Sequence, residues 1–479
     1  MHDQPNDHYD HRKRMADHRK LGRELQIFDT DPMIGAGLPY WLPAGAAIRH
    51  SLEEYIRELE RLAGYRHVYS PVLAKRDLYE LSGHWEHYRD GMYPAMAAAA
   101  GPGGEPRAGR GSGRGSGHDG GHNAGRNAGH NAGQESGQDS GQVVLRPSLC
   151  PHHALMYRSR AHSYRELPLR LAELGGQYRS ELSGVLGGMT RVRAMQLNDA
   201  HIFCTPDQVE AEAASALRMI RQAYQALGIE PLRYRLSLAG QGQKYVGSRP
   251  MWDRAAAILA DLLAGAGVEY EAEEGEAAFY GPKIDVQVAD SLEREATLST
   301  IQVDFYQPER FGLEYVGADG GRHRPVMVHR SVIGSLERAV GHLIDVHGGA
   351  FPAWLAPVQL IVLPVTDAEL PGAEHLARQA VERGLRAEVA GSQDGSLGAR
   401  IRSSRLVPFQ AVIGAAEAAA GEVSIRLRSG EKLPPRPAGA ALAEISAGCA
   451  APVLGAGDGG GGGAGRQVVS SGAGSSRPR

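Results

Sequence analysis

The sequence predicts two folded units in series, an α+β domain over residues 18–352 and a small α/β domain over 353–447. Three observations lead there. A chain of 479 residues is too long for one hydrophobic core and long enough for two or three. Its patterning changes style near residues 350–354. Ahead of that point lie an amphipathic helical pattern (46–65), a strand with Pro71, two further helical patterns and a strand-rich section at 278–317. From "WLAPVQLIVLPV" (354–365) a near-continuous apolar strand is followed by a helix (372–384), a strand (386–389), another helix and "FQAVIG". Such alternation builds a mostly parallel or mixed sheet. Third, the Gly/Ser/Asn/His-rich stretch 97–142 and the Gly/Ser/Arg-rich stretch 448–479 cannot bury enough apolar area to offset chain entropy. They are expected to be a flexible insertion and a disordered tail.

Taken in order, residues 1–17 are polar and His-rich and are expected to be disordered. "AAIRHSLEEYIRELERLAGY" (46–65) places Ile48, Leu52, Ile56, Leu59 and Leu62 at spacings of three and four, an amphipathic helix. "RHVYSPVLA" reads as a strand whose Pro71 confines it to an edge or end. Helical patterns follow at 152–174 and 206–227, the second opening with Thr205 as cap and Pro206 in the first turn. A strand-rich section spans 278–317, and a further helix covers 331–347.

Charge and cysteine content exclude some functions. A net charge of −3 gives no global basic field for nucleic acid, although a local patch remains open. Three scattered cysteines form no disulfide framework and fit a reducing compartment. With no apolar leader and no run of 18 apolar residues, the expectation is a cytoplasmic protein without a membrane segment. In "TRVRAMQLNDAHIFC" (190–204), strand alternation would pair Arg191 with Arg193 on one face and Asp199 with His201. Cys150, His201 and His329 are borderline zinc ligands by type, or else a buried thiol and two satisfied histidines. Arg179, Arg191 and Arg338 are anion-binding candidates or ordinary surface cations.

Ordered motifs narrow these alternatives. "DHRKLGREL", "GLPYWLPAGAAIRHSLEEYI", "SGHWEHYRDGMYP", "LPLRLAELGGQYRSELSGVLGGMTRVR", "DAHIFCTPDQ", "EGEAAFYGPKID" and "PVMVHRSVIGSLERAVG" together resemble the threonyl-tRNA synthetase family of class II aminoacyl-tRNA synthetases, from about Asp17 to about Leu433. The resemblance implies a six- or seven-stranded antiparallel catalytic sheet flanked by helices, then an α/β anticodon-binding domain. It also implies ATP-dependent ligation of L-threonine to tRNA by a homodimer joined through motif one, which ends at Pro71. Arg179 of motif two would hold the α-phosphate, with Glu181, two residues on and pointing the same way, on the adenine amino group. Arg191 and Arg338 would take the outer phosphates, Gln302 would lie on the nucleotide-binding strand, and Mg²⁺ would accompany ATP. Cys150, His201 and His329 match the family's zinc ligands, with threonine completing the site through its amino and hydroxyl groups. Asp199 would accept the hydroxyl proton and Tyr280 would line the amino side. Arg402, Glu417 and Arg426 match positions that contact the anticodon.

The chain departs from the family pattern at Ser148, Leu149, Leu182, Met195, Leu197, Asn198, Ala296, Thr297, Ala415 and Ala416. Phosphate- and metal-binding types are kept, whereas several residues that shape the pocket are not. Two other readings follow: a synthetase-like paralogue that activates threonine or a related β-hydroxy amino acid for an acceptor other than tRNA, and a regulator that binds tRNA or amino acid without catalysis. The family's N-terminal ubiquitin-like and editing modules have no counterpart ahead of Asp17, so the expectation is a short form with no correction in cis.

Overall fold

The computed structural model describes residues 17–97, 141–241, 245–290 and 293–452. Most of the expected disordered stretches 1–17, 97–142 and 448–479 lies outside the described residues. At their edges, Asp17 caps the first helix, α1 (His18–Glu24), Gln142 opens a short strand, and Cys449 is buried behind the last helix.

Eight strands form the first sheet: β1 (Arg66–His67), β2 (Leu169–Tyr178), β3 (Ala194–Cys204), β4 (Arg233–Leu238), β5 (Tyr270–Glu274), β6 (Lys283–Ala289), β7 (Glu295–Asp304) and β8 (Val326–Ser331). Their spatial order is β5-β4-β6-β7-β8-β3-β2-β1. The six middle strands are antiparallel, and β1 and β5 add parallel edges. The six antiparallel strands match the expected six- or seven-stranded antiparallel sheet, and the two parallel edge strands are additions to it. The edge pairings are long-range and leave no mark in local sequence.

Helix α2 (Pro43–Leu62) buries Ile48, Leu52, Ile56 and Leu59, the stripe its spacing demands, while Leu62 is exposed. It starts earlier than its apolar pattern because Pro43 suits the first turn, where its missing N–H costs nothing. The helix expected over 152–174 is wrong in its second half. Helix α3 (Cys150–Arg158) ends early, and residues 169–178 are β2, buried on both faces because it lies inside the sheet. A doubly buried strand loses its alternation, so its apolar run mimics a helix. The strand expected at "RHVYSPVLA" is split around Pro71 into β1 and a short strand, Leu73–Lys75.

Helices α4 (Val209–Leu227) and α5 (Arg249–Gly265) cover one face of the sheet. Thr205 and Gln208 form a reciprocal capping box just ahead of α4. Helix α6 (Leu336–His347) begins later than the expected 331, because residues through Ser331 belong to β8 and the Ser335 side chain caps the helix. The second domain is a five-stranded mixed sheet, with Leu360–Pro364 parallel to Ala387–Val389 and Phe409–Ile413. It has its own core. Trp354 and Leu355 still pack into the first core, so that core reaches past residue 352.

Candidate active site

The sheet face away from α4 and α5 carries a cleft of about 430 Å³ lined by Arg179, Arg338, Gln302, Tyr280, Met195 and Leu197, among others. Below its floor, three elements bring side chains from distant parts of the sequence together. Cys150 opens α3, His201 lies on β3 and His329 on β8, where the two histidines are directly paired across the strands. Their ligand atoms lie within 4.8 Å of one another and all three residues are buried.

This donor set fits a metal. His329 Nε2 is 2.8 Å from Asp304 Oδ2, and His201 Nδ1 is 2.8 Å from His153 Nδ1. His153 Nε2 in turn meets Glu173 Oε2 at 3.2 Å, beside Arg146. Each imidazole thus has one nitrogen held by a neighbour, the outer-shell arrangement that orients metal-binding histidines. Burial pushes the Cys150 thiol well above its ordinary range and pushes the His201 imidazole down, aided by His329. A cation among them would relieve the thiol's cost by taking it as thiolate. Asp199 shares the His201 face of β3, with Oδ1 3.9 Å from His201 Nε2, and burial raises its pKa. The Tyr280 ring stacks on His329 at 4.9 Å, and its hydroxyl donates to Gln302 Oε1 at 2.7 Å.

The upper wall is cationic. Arg179 lies over the Tyr88 ring and has a buried Nε without a hydrogen-bond partner among the described residues. Arg338, half-buried, donates from Nε to Thr190 O at 2.9 Å. Its pKa is lowered to about 10 by burial first, then by Arg179 and Arg191. A buried guanidinium with two further positive charges beside it would be relieved by an anion.

Strand alternation does not extend to every candidate. Strand β2 ends at Tyr178, and Glu181 N–H donates back to Arg179 O at 2.8 Å. The chain therefore turns, and the Glu181 carboxylate pairs with Arg191 at 2.8 Å. Likewise Arg191 and Arg193 precede β3. Arg193 ties the loop together through Glu181 O and Ala36 O, a scaffold role.

Family comparison agrees with this architecture. Residues 135–347 match the class II tRNA synthetase core domain (G, H, P, S and T), and residues 359–445 match the anticodon-binding domain. Over 421 residues the chain is 44% identical to the threonine–tRNA ligase of Geobacillus kaustophilus, covering 87% of this chain and 58% of that one. It is 43% identical over 415 residues to threonine–tRNA ligase 1 of Bacillus subtilis, again covering 58% of that protein. The crystal structure of the RNA-binding domain of threonyl-tRNA synthetase from Cryptosporidium parvum superposes with a TM-score of 0.78 at 31% identity, covering 92% of this chain and 100% of that one. The chain belongs to the threonyl-tRNA synthetase family. It spans a little under three fifths of the length of the two bacterial relatives, 58% in each case.

Within the family pattern, some departures have a local physical account. Asn198 donates to Glu60 Oε1 at 2.7 Å and accepts Val332 N–H at 3.0 Å; a carboxylate there would face Glu60 without a proton to share. Leu149 is fully buried and Leu182 is exposed. Ser148 lines the cleft, its hydroxyl 2.9 Å from His84 Nε2 and 3.4 Å from Cys150 Sγ. His84, with its pKa lowered to about 3 by burial, escaped the site reading although "SGHW" was among the family motifs. His153, Glu173 and Asp304 escaped it too, since outer-shell partners carry no spacing signal.

In the second domain, Arg402 is exposed on a short helix, Leu397–Ser403. Arg426 is half-buried on the strand Glu422–Leu427. Glu417 caps Gly414 N–H at 3.1 Å and accepts the Ser424 hydroxyl at 2.8 Å, so its carboxylate is engaged within the domain.

Proposed function

We propose that the protein activates L-threonine with ATP and transfers it to tRNA. The observation that carries this reading is the juxtaposition of a Cys/His/His cluster with a wall of mutually repelling arginines across one cleft of a class II core. The amino-acid carboxylate attacks the α-phosphorus and pyrophosphate leaves. Such a reaction is accelerated by positioning and charge neutralisation. Arg179 contacts the α-phosphate, and Arg191 and Arg338 the outer phosphates, of ATP bound as its magnesium complex. Gln302 and Tyr280, already hydrogen-bonded to each other, line the path between nucleotide and amino acid, and Glu181, held by Arg191, closes the adenine end.

Cys150, His201 and His329 would hold zinc. Bound there, zinc would supply Lewis-acid recognition of an amino and a hydroxyl group together, which a pocket of apolar contacts cannot do. Asp199 accepts the proton of the substrate hydroxyl at its carboxylate, beside His201. The exposed apolar residues Tyr69, Val72 and Leu73 next to the edge strand β1 support a homodimer joined through this segment. Among the described residues no helix is long and apolar enough to cross a membrane, and the substrates belong to the cytoplasm.

Threonine-dependent exchange of pyrophosphate into ATP, followed by charging of total tRNA, tests the proposal. Exchange without charging would favour another acceptor, a reading that the engaged carboxylate of Glu417 keeps in view. Arg402 and Arg426 are the base and backbone contacts proposed for the anticodon, and substituting them should weaken charging while sparing exchange.

A further inference from the structure

We propose that His18 is a positioning residue for the loop that carries Arg191, holding that loop in its ATP-binding place from the N-terminal helix. This rests on the reading of Arg191 as a phosphate contact. His18 is the first residue of α1 and is only 2% exposed. Asp345 on α6 grips it twice: His18 N–H donates to Oδ1 at 2.6 Å, and Nδ1 lies 3.2 Å from Oδ2. On the opposite edge of the ring, Met189 N–H donates to Nε2 at 3.3 Å. A nitrogen that accepts carries no proton, so the ring proton sits on Nδ1, facing the carboxylate. Asp345 therefore sets the tautomer that lets His18 receive the loop.

The loop is short and otherwise braced from the other side. Thr190 N–H and its hydroxyl donate to Gly187 O at 2.9 and 2.7 Å, and Thr190 O accepts from Arg338 Nε at 2.9 Å. His18 and Arg338 thus hold consecutive residues, Met189 and Thr190, directly ahead of Arg191. One glycine makes room for the ring and another for the loop. A Cβ on Gly188, which has φ +59°, would lie 2.6 Å from His18 Nε2, and one on Gly341 would lie 3.1 Å from Met189 Cβ. Ordinary core packing calls for neither the fixed tautomer nor the backbone acceptor. A loop that must present one arginine to a phosphate calls for both.

Three variants of the full chain separate the two nitrogens. His18→Ala removes both contacts, His18→Asn keeps a group near Nδ1 only, and His18→Gln extends an amide oxygen to the Nε2 position. With His18→Ala, the KM for ATP in pyrophosphate exchange should rise about tenfold, equivalent to ~1.4 kcal/mol, with kcat and the KM for threonine within about twofold. His18→Gln should recover most of the ATP affinity and His18→Asn little. Two readouts need no amino acid: the Kd of the magnesium–ATP complex by calorimetry, and hydrogen exchange at the Met189 amide, which should be slow in the parent and in His18→Gln and fast in the other two. A parent that binds ATP but exchanges no pyrophosphate with threonine would sink the proposed function and leave the His18 test to these two measurements. Equal rises in both KM values, a glutamine variant as weak as alanine, or an unprotected Met189 amide in the parent would each overturn the positioning role.

Discussion

Arg179 and Arg338 line one cleft, and Arg179 and Arg191 both act on Arg338 by like-charge repulsion, so replacing Arg179 by alanine should separate stability from chemistry. The pKa of Arg338 falls by between two and three units to about 10. At 1.36 kcal/mol per unit this is a cost of roughly 3 kcal/mol for keeping it charged. Because the folded value lies below the unfolded one, the cost is fully present below pH ~10 and fades only as pH rises towards the ordinary arginine range. Burial is the largest cause and Arg179 the second, so removing Arg179 returns only part of that cost, on the order of 1 kcal/mol. Against that stand one long hydrogen bond to Gln177 Oε1 at 3.3 Å and a cation–π contact at 5.9 Å over Tyr88, together also about 1 kcal/mol. The two effects nearly cancel. Urea unfolding of Arg179→Ala should therefore lie within ~1 kcal/mol of the parent. Pyrophosphate exchange should fall 10²-fold or more, the usual loss for a charge-assisted contact made chiefly in the transition state. A loss of 3 kcal/mol in stability would show Arg179 to be a structural cation, and near-normal exchange would remove it from the reaction.

Other outcomes follow from the same site. Purified protein should contain about one zinc per chain, and Cys150→Ala should contain none by mass spectrometry of the metal; full zinc in that variant would mean that the ligand set is wrong. Serine offers the same amino and hydroxyl groups as threonine and lacks one methyl group, a difference of about 1–3 kcal/mol, so exchange with serine should be measurable. Valine, without a hydroxyl, should be nearly inert, and robust valine exchange would contradict hydroxyl reading by the metal site. Glu337, 5% exposed, has its pKa raised by burial to about 7. A carboxyl raised in the fold binds its proton more tightly there, so stability is greatest below pH ~4.5 and is lost as pH rises to 7. Glu337→Gln should thus gain up to ~3 kcal/mol at pH 8 and almost nothing at pH 4; equal melting temperatures at pH 8 would refute the burial cost.

Local patterning by itself determined α2, α4 and most of the second domain, because a helix or strand that buries one face writes its own period into its apolar residues. It also supplied the types and order of Cys150, His201, His329 and the three arginines, through motifs whose spacing is tied to individual strands and turns. Other features were decided only by the assembled sheet. Residues 169–178 look helical until β1 and β3 flank them, and a strand buried on both faces shows no alternation. Glu181 and Arg193 leave the expected faces because the chain turns just past Tyr178, where a side chain's direction depends on one backbone torsion rather than on a period. The Asp304–His329 and Glu173–His153–His201 contacts, and the grip of Asp345 and Met189 on His18, join residues far apart in sequence. Periodicity records how a segment meets its surroundings, not which segment it meets, and these partnerships depend on strand register and helix docking, which are long-range by nature.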